Sequence, residues 1–246
     1  MISFRAEQIF IVTGATSGIG KDTALLLNAL GATVVAVGRS RERLDQLKDE
    51  VSSVERLFLE QKDLAEDIPS LPVWIKTLRE KYGKFSGLVC AAGIGEIKPL
   101  QLVDVESMKR LYDIDYFVPV MLLQGFADRR NNIGNGSSVV CISSIAAYTC
   151  ERGKLTYSGA KAALSASMKS ISRELASKGI RVNCVSPAEV ITPLVMNNLE
   201  LREARKDMYP LGYGEPGDIS CLISFLLSDK AKWITGVDYK IDGGYN

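Results

Sequence analysis

The sequence predicts one doubly wound α/β domain: a seven-stranded parallel sheet with helices on both faces. Three observations lead there. Short runs of four to six mostly apolar residues alternate along the chain with longer segments of helical periodicity. Within those runs apolar residues are consecutive, the pattern of strands buried on both faces. The 246 residues, 46% hydrophobic and 24% charged, contain no repeat, low-complexity linker or break in composition that would mark a second domain.

The first strand is Ile9 to Thr13, followed by a glycine-rich turn and a helix from Lys21 to Leu30 that Gly31 stops. Thr33 to Val37 is the second strand and Arg41 to Val51 the second helix. The alternation continues with strands at Arg56–Leu59, Gly87–Cys90, Val139–Ser143, Arg181–Ser186 and Val237–Ile241. Helices are expected at Val73–Tyr82, Val105–Arg129, Leu155–Ser177 and Ile219–Leu227. Right-handed crossovers return each strand to the same sheet. Residues 188–217 break the rhythm: a long insertion with one amphipathic stretch, Leu194 to Met208, and no strand. Insertions of that length are commonly binding loops or lids, and this one follows the C-terminal end of a strand, where open α/β sheets take ligands.

Composition removes several kinds of chemistry. The chain has no histidine, which excludes a Ser-His-Asp triad, a Cys-His pair and every His-containing zinc site. A net charge of +1 gives no global field towards nucleic acid or anionic lipid. The five cysteines, Cys90, Cys141, Cys150, Cys184 and Cys221, are scattered and form no C-x-x-C, so no metal site is expected. The N-terminus has no leader pattern and no apolar run approaches a membrane helix. These features read as a cytoplasmic protein that binds neither membrane nor nucleic acid.

Two motifs carry chemistry. Gly14, Thr16, Ser17, Gly18, Ile19 and Gly20 lie in the turn between the first strand and helix, spaced G-x-x-x-G-x-G. Glycines let a backbone approach a ligand closely, and a helix N-terminus offers free amides to a pyrophosphate. Tyr157 and Lys161 stand four residues apart, one turn on one face of a predicted helix. An ammonium beside a phenol favours the phenolate, which makes tyrosine an acid–base group where imidazole is missing.

With these motifs in this order, the chain resembles the short-chain dehydrogenase/reductase family over essentially its whole length, and the fold that implies is Rossmann-like. Further signs are Asp63-Leu64, Ala91-Ala92-Gly93, Ser144 thirteen residues before Tyr157, Asn183, Ser186-Pro187, Thr192 and the run from Ile234 to Gly244. The resemblance is closest to reductases of 3-oxoacyl thioesters and of sugars or polyols. It implies hydride transfer between a nicotinamide and a carbonyl or alcohol, with Tyr157 as proton donor, Ser144 as hydrogen-bond donor to the same oxygen, and Lys161 on the nicotinamide ribose. It also implies that Asp63, Leu64, Ala91, Ala92, Gly93, Pro187, Val190 and Thr192 border the cofactor, and that long helices pair across two-fold axes into a homodimer or homotetramer. Small residues at Ala160, Ala163, Ala166 and Ser170 suit such pairing.

Gly38 occupies the position where NAD enzymes keep an acid for the ribose 2′-hydroxyl, and Arg39 follows it. A guanidinium suits a 2′-phosphate, so NADP is expected over NAD, with Ser40 as a supporting donor. Three departures from the family pattern stand out. Cys90 replaces an asparagine, Ala188 a glycine, and Asp115 the asparagine that usually anchors a water beside the lysine. Asp115 therefore either faces Lys161 or bonds nearby backbone. Candidate substrate walls are Gly95–Ile97, Ile145–Lys154 and 188–209, where Ile191, Leu194 and Met196 mix with Glu96, Glu151 and Arg152. Lys178 with Arg129 and Arg130 either offers cations to an acidic carrier protein or simply complements helix dipoles. An oxidative alcohol or polyol dehydrogenase, and a cofactor-binding regulator without turnover, remain the alternatives.

Overall fold

The computed structural model describes residues 1–193 and 205–245. Seven strands form one all-parallel sheet: β1 (Ile9–Thr13), β2 (Thr33–Gly38), β3 (Leu57–Gln61), β4 (Gly87–Cys90), β5 (Ser137–Ile142), β6 (Ile180–Pro187) and β7 (Asp238–Ile241). Their order is β3-β2-β1-β4-β5-β6-β7, so the chain winds one way from β1 to β3 and the other way from β4 to β7. The reversal lies between β1 and β4, which pair with Phe10 opposite Gly87 and Thr13 opposite Cys90. Above that junction the connections diverge and leave a crevice.

Helices α1 (Gly18–Ala29), α2 (Arg41–Gln46), α3 (Leu71–Tyr82), α4 (Val105–Tyr112), α5 (Val118–Phe126), α6 (Ala146–Thr149) and α7 (Leu155–Ala176) follow, with a last helix at Pro216–Leu227. One face of the sheet packs on α3, α5 and α7 through residues such as Ile75, Leu122 and Leu164. The other packs on α1, α2 and the last helix through Leu27, Leu44 and Ile223. The consecutive apolar positions of β2 are buried throughout, as strands covered on both faces require. Among the described residues no helix is long and apolar enough to cross a membrane.

Two expected helices are shorter than their periodicity suggests. The segment expected to run from Val105 to Arg129 is α4, a π-helical turn over Asp113–Phe117, then α5. Pro119 explains the turn. It has no amide to give the Asp115 carbonyl four residues earlier, and its ring would crowd that carbonyl in a regular helix. The far end stops at Phe126, because Asn131 and Asn132 turn back to donate to the Gly125 and Phe126 carbonyls, each at 2.8 Å. The helix expected over Arg41 to Val51 ends at Gln46 and tightens into a 3₁₀ turn, Leu47–Asp49. In the 188–217 insertion, Leu194 and Met196 fall outside the described residues, and a 3₁₀ turn covers Lys206–Met208.

Candidate active site

A cleft of about 430 Å³ opens over the C-terminal ends of the strands. Its floor at one end is the turn from Gly14 to Gly20. Gly14 has φ +67°, and a Cβ there would stand 2.8 Å from the Ala91 carbonyl and the Ala92 amide. Beneath the turn, Thr13 Oγ1 accepts from the amides of Ala91 and Ala92 at 3.1 and 3.2 Å, which ties the end of β1 to the segment after β4. The Ser17 side chain does not cap α1, and the first turn of that helix carries no acid. These open amides, above a backbone stripped of side chains, fit the pyrophosphate of a dinucleotide.

Of the sequence-expected cofactor residues, Gly14, Thr16, Ser17, Gly18, Ile19, Gly20, Arg39, Asp63, Leu64, Ala91, Ala92, Gly93, Pro187, Val190 and Thr192 all border this cleft, as do Tyr157 and Lys161. Ser40 does not. Its Oγ accepts from the Arg43 amide at 3.3 Å and so caps α2, an interaction that leaves the hydroxyl proton available to a donor role. Gly38 borders the cleft beside Arg39, and the wall also holds Val37, Lys62, Ala65, Ile94 and Ile114, which the sequence motifs do not single out. Lys62 had a signal, since it immediately precedes Asp63; its amide donates to the Gly38 carbonyl and its ammonium lies 5.5 Å above the Trp74 ring.

At the other end Ser144, Tyr157, Lys161 and Asp115 come together. The two adjacent serines divide their work. Ser143 is buried, bonded to the Lys161 carbonyl at 3.1 Å and to Ser165 Oγ at 2.8 Å. Ser144 is half-buried on the cleft, where its Oγ accepts from the Ala146 amide at 3.1 Å and its hydroxyl proton stays available. The Lys161 ammonium lies 5.7 Å from the centre of the Tyr157 ring and donates to the Ile142 carbonyl at 2.9 Å.

The π-helical turn delivers Asp115 to the same spot. Its carboxylate pairs with Lys161 Nζ at 2.9 Å, and the two side chains are 0% and 6% exposed. The Ile94 amide donates to its other oxygen at 3.4 Å. Gly93 completes the fit: a Cβ there would stand 2.7 Å from the carboxylate and 3.5 Å from the ammonium. Burial pushes the Asp115 carboxyl up and the Lys161 charge opposes it. Burial is the largest influence on Lys161 and pulls it down, but Asp115 and Tyr157 together outweigh it and hold the ammonium above its ordinary range.

A family model described as enoyl-(acyl carrier protein) reductase matches residues 14–246. Cis-4-hydroxycyclohexanecarboxylate dehydrogenase of Sinomonas cyclohexanicum is 33% identical over 98% of this chain and 97% of its own. The chain belongs to the short-chain dehydrogenase/reductase family. Another relative, the 3-oxoacyl-acyl-carrier-protein reductase of Thermotoga maritima, is 31% identical over 96% of this chain and 97% of its own. A Brucella melitensis structure described as a short-chain dehydrogenase/reductase of glucose/ribitol dehydrogenase type superposes with a TM-score of 0.90 at 30% identity, covering 99% of this chain and 98% of that one. As a short-chain dehydrogenase/reductase, the protein is an oxidoreductase of alcohol and carbonyl groups that works with NAD or NADP.

Within this short-chain dehydrogenase/reductase, the cations considered for a carrier protein are not equivalent. Arg130 is engaged by Asp128 at 2.6 Å, whereas Arg129 and Lys178 line a separate concavity with Lys84, at the N-terminal ends of β4 to β6.

Proposed function

We propose that the protein is an NADPH-dependent reductase of a ketone or aldehyde group on a small, moderately polar substrate. Supporting this is the convergence of Ser144, Tyr157 and Lys161 at one end of the cleft, with Arg39 and no acid at the end of β2 at the other. The cofactor, when bound, supplies the hydride. Tyr157 would give its phenolic proton to the carbonyl oxygen in reduction, and take one from the hydroxyl in the reverse direction. Ser144 would donate to that same oxygen and so favour the charge developing on it. The Lys161 ammonium has three N–H groups. One serves Ile142 and one faces Asp115, which leaves one for a ribose hydroxyl.

The candidate substrates are a 3-oxoacyl thioester, a sugar or a related ketone, in line with the names of the relatives. A panel of such carbonyls, followed by the loss of NADPH absorbance, tests the reading. Binding of NADPH without turnover of any member, in either direction, would favour a cofactor-binding regulator. The cytoplasm is the expected compartment, since all five cysteines are unpaired.

Arg39 is exposed at the cleft rim and makes no ion pair among the described residues, as a group reserved for a 2′-phosphate would. A charge-assisted contact of that kind contributes about 1.5–3 kcal/mol, so Arg39→Ala should weaken NADPH binding roughly tenfold or more and leave NADH nearly untouched. Titration calorimetry with both cofactors measures this. Equal wild-type affinities would refute the NADPH preference.

The assembly we propose is a homodimer or a dimer of dimers. Leu100, Leu102, Val105, Met108, Phe117 and Leu155 are all exposed on and around α4, the π-helical turn and the start of α7, with Leu100 70% exposed and Val105 65%. Apolar side chains gathered this way mark an interface. The helix stripe considered from sequence contributes in part: Ala166 and Ser170 are exposed, whereas Ala160 is buried against the protein's own core. Light scattering at micromolar concentration should give at least twice the mass of one chain, and Val105→Glu should lower it. A wild-type monomer would overturn the assignment.

A further inference from the structure

The loop between α6 and α7 leads directly into Tyr157 and is held in an unfavourable shape. Cys150 has φ +50°, the one non-glycine among the described residues in the left-handed region. Such a conformation persists where the surroundings over-determine it. On one side the loop is fixed by its own backbone: the Lys98 amide donates to the Gly153 carbonyl at 2.7 Å. On the other side stands a cluster that cofactor and carbonyl chemistry do not use. Glu151 receives Arg205 and Lys154 on one carboxylate oxygen, Lys154 at 3.2 Å, and the Tyr245 hydroxyl on the other at 3.1 Å. Glu151 and Arg205 are each only 18% exposed, so this is no solvated surface pair. Tyr209, almost fully buried, packs its ring 5.0 Å from that of Tyr245 and seats the cluster from below.

We propose that Glu151, Arg205 and Tyr245 form a clasp that positions the 150–154 loop, and through it the substrate side of Tyr157. The clasp joins three segments far apart in sequence: the loop before α7, the returning arm of the insertion and the segment after β7. Its members are positioning residues. They act on substrate turnover, while the NADPH site at the glycine turn does not depend on them. The kinetic part rests on the reading of Tyr157 as the proton donor; the conformational part does not.

Cys150 supplies a reporter, because it is exposed and sits next to Glu151. In a Cys221→Ser background it is the exposed thiol among the described residues, since Cys90, Cys141 and Cys184 are buried. The experiment compares the rate of Cys150 labelling by a chromogenic disulfide reagent in Glu151→Gln and Arg205→Gln. Released loops should label several-fold faster in both variants. A purely electrostatic effect on the thiol would raise the rate in Glu151→Gln and lower it in Arg205→Gln, and that opposite pair of results would overturn the proposal. With cyclohexanone as the probe ketone, kcat/KM should fall roughly fivefold to tenfold in each single variant and no further in the double, as expected of residues acting through one contact. NADPH affinity should stay within about twofold, the tolerance of independent sites. Loss of NADPH affinity in step with kcat/KM would also overturn the proposal, by making the clasp a general support of the fold. The labelling rates need no substrate, so they decide the clasp even where no carbonyl is reduced.

Discussion

Tyr157→Phe should lower kcat by roughly 10²–10⁴-fold, the usual contribution of a positioned proton donor, while NADPH still binds with nearly unchanged affinity. The variant removes one oxygen from a half-buried side chain beside the cleft and disturbs little else. The Lys161–Asp115 pair and the Lys161 bond to Ile142 do not involve the phenol. Single-turnover reduction of the carbonyl that the panel identifies, followed by NADPH absorbance, separates the chemical step from product release. A variant that retained more than about a tenth of wild-type kcat would remove Tyr157 from the proton-transfer role.

The second large effect concerns stability. Removing one member of a buried ion pair strands the other, at a cost of about 3–5 kcal/mol. Lys161→Met and Asp115→Asn should therefore both unfold well below the wild type, by roughly 6–20 °C for a chain of this size. Their pH dependences should run in opposite directions. In Lys161→Met the buried Asp115 loses the charge that opposes its burial, so its carboxyl rises further. A carboxyl raised by folding is best tolerated protonated, and the deficit should shrink as pH falls. In Asp115→Asn the buried ammonium loses its counter-charge and its pKa drops, so that deficit should shrink as pH rises. In the wild type, Lys161 is held above its ordinary range, so its stabilising share should be complete below that range and be lost as pH climbs through the raised value. Thermal melts from acid to alkaline pH read all three. Parallel trends in the two variants would mean that the residues do not share charge in the folded protein. Asp115→Asn should also move the alkaline limb of kcat/KM for alcohol oxidation to lower pH, because a negative charge near the tyrosine–lysine pair is gone.

Most of the sheet was legible because its strands are covered on both faces, and runs such as Thr33 to Val37 have almost no polar interruption. Helix periodicity is a weaker guide to continuity. The apolar spacing through Val105 to Phe126 reads straight across Asp113–Phe117, although one proline is enough to widen that turn. That widening also explains why the relation of Asp115 to Lys161 could not be fixed from residue spacing alone. A π-helical turn shifts the register of every side chain within it, and only the fold shows that the two charges meet. The cap made by Ser40 was hidden for a different reason: a serine before a helix can serve a cap, a ligand or both, and the local Arg43 amide uses its oxygen. The clasp was invisible because Glu151, Arg205 and Tyr245 share no periodicity and meet only when distant segments converge.

The reversal of strand order between β1 and β4 carries one more consequence. Arg39 sits at the end of β2, in the half wound one way, while Ser144 follows β5 and Tyr157 rides on α7, in the half wound the other way. No side chain is shared between these two groups. Changes made in one half should therefore combine with changes in the other without mutual interference, their free energies adding as they do for sites that share no partner. The division is modular: the same catalytic half could be served by a redesigned β2 terminus, and cofactor preference and substrate choice could diverge among descendants of this chain at different rates.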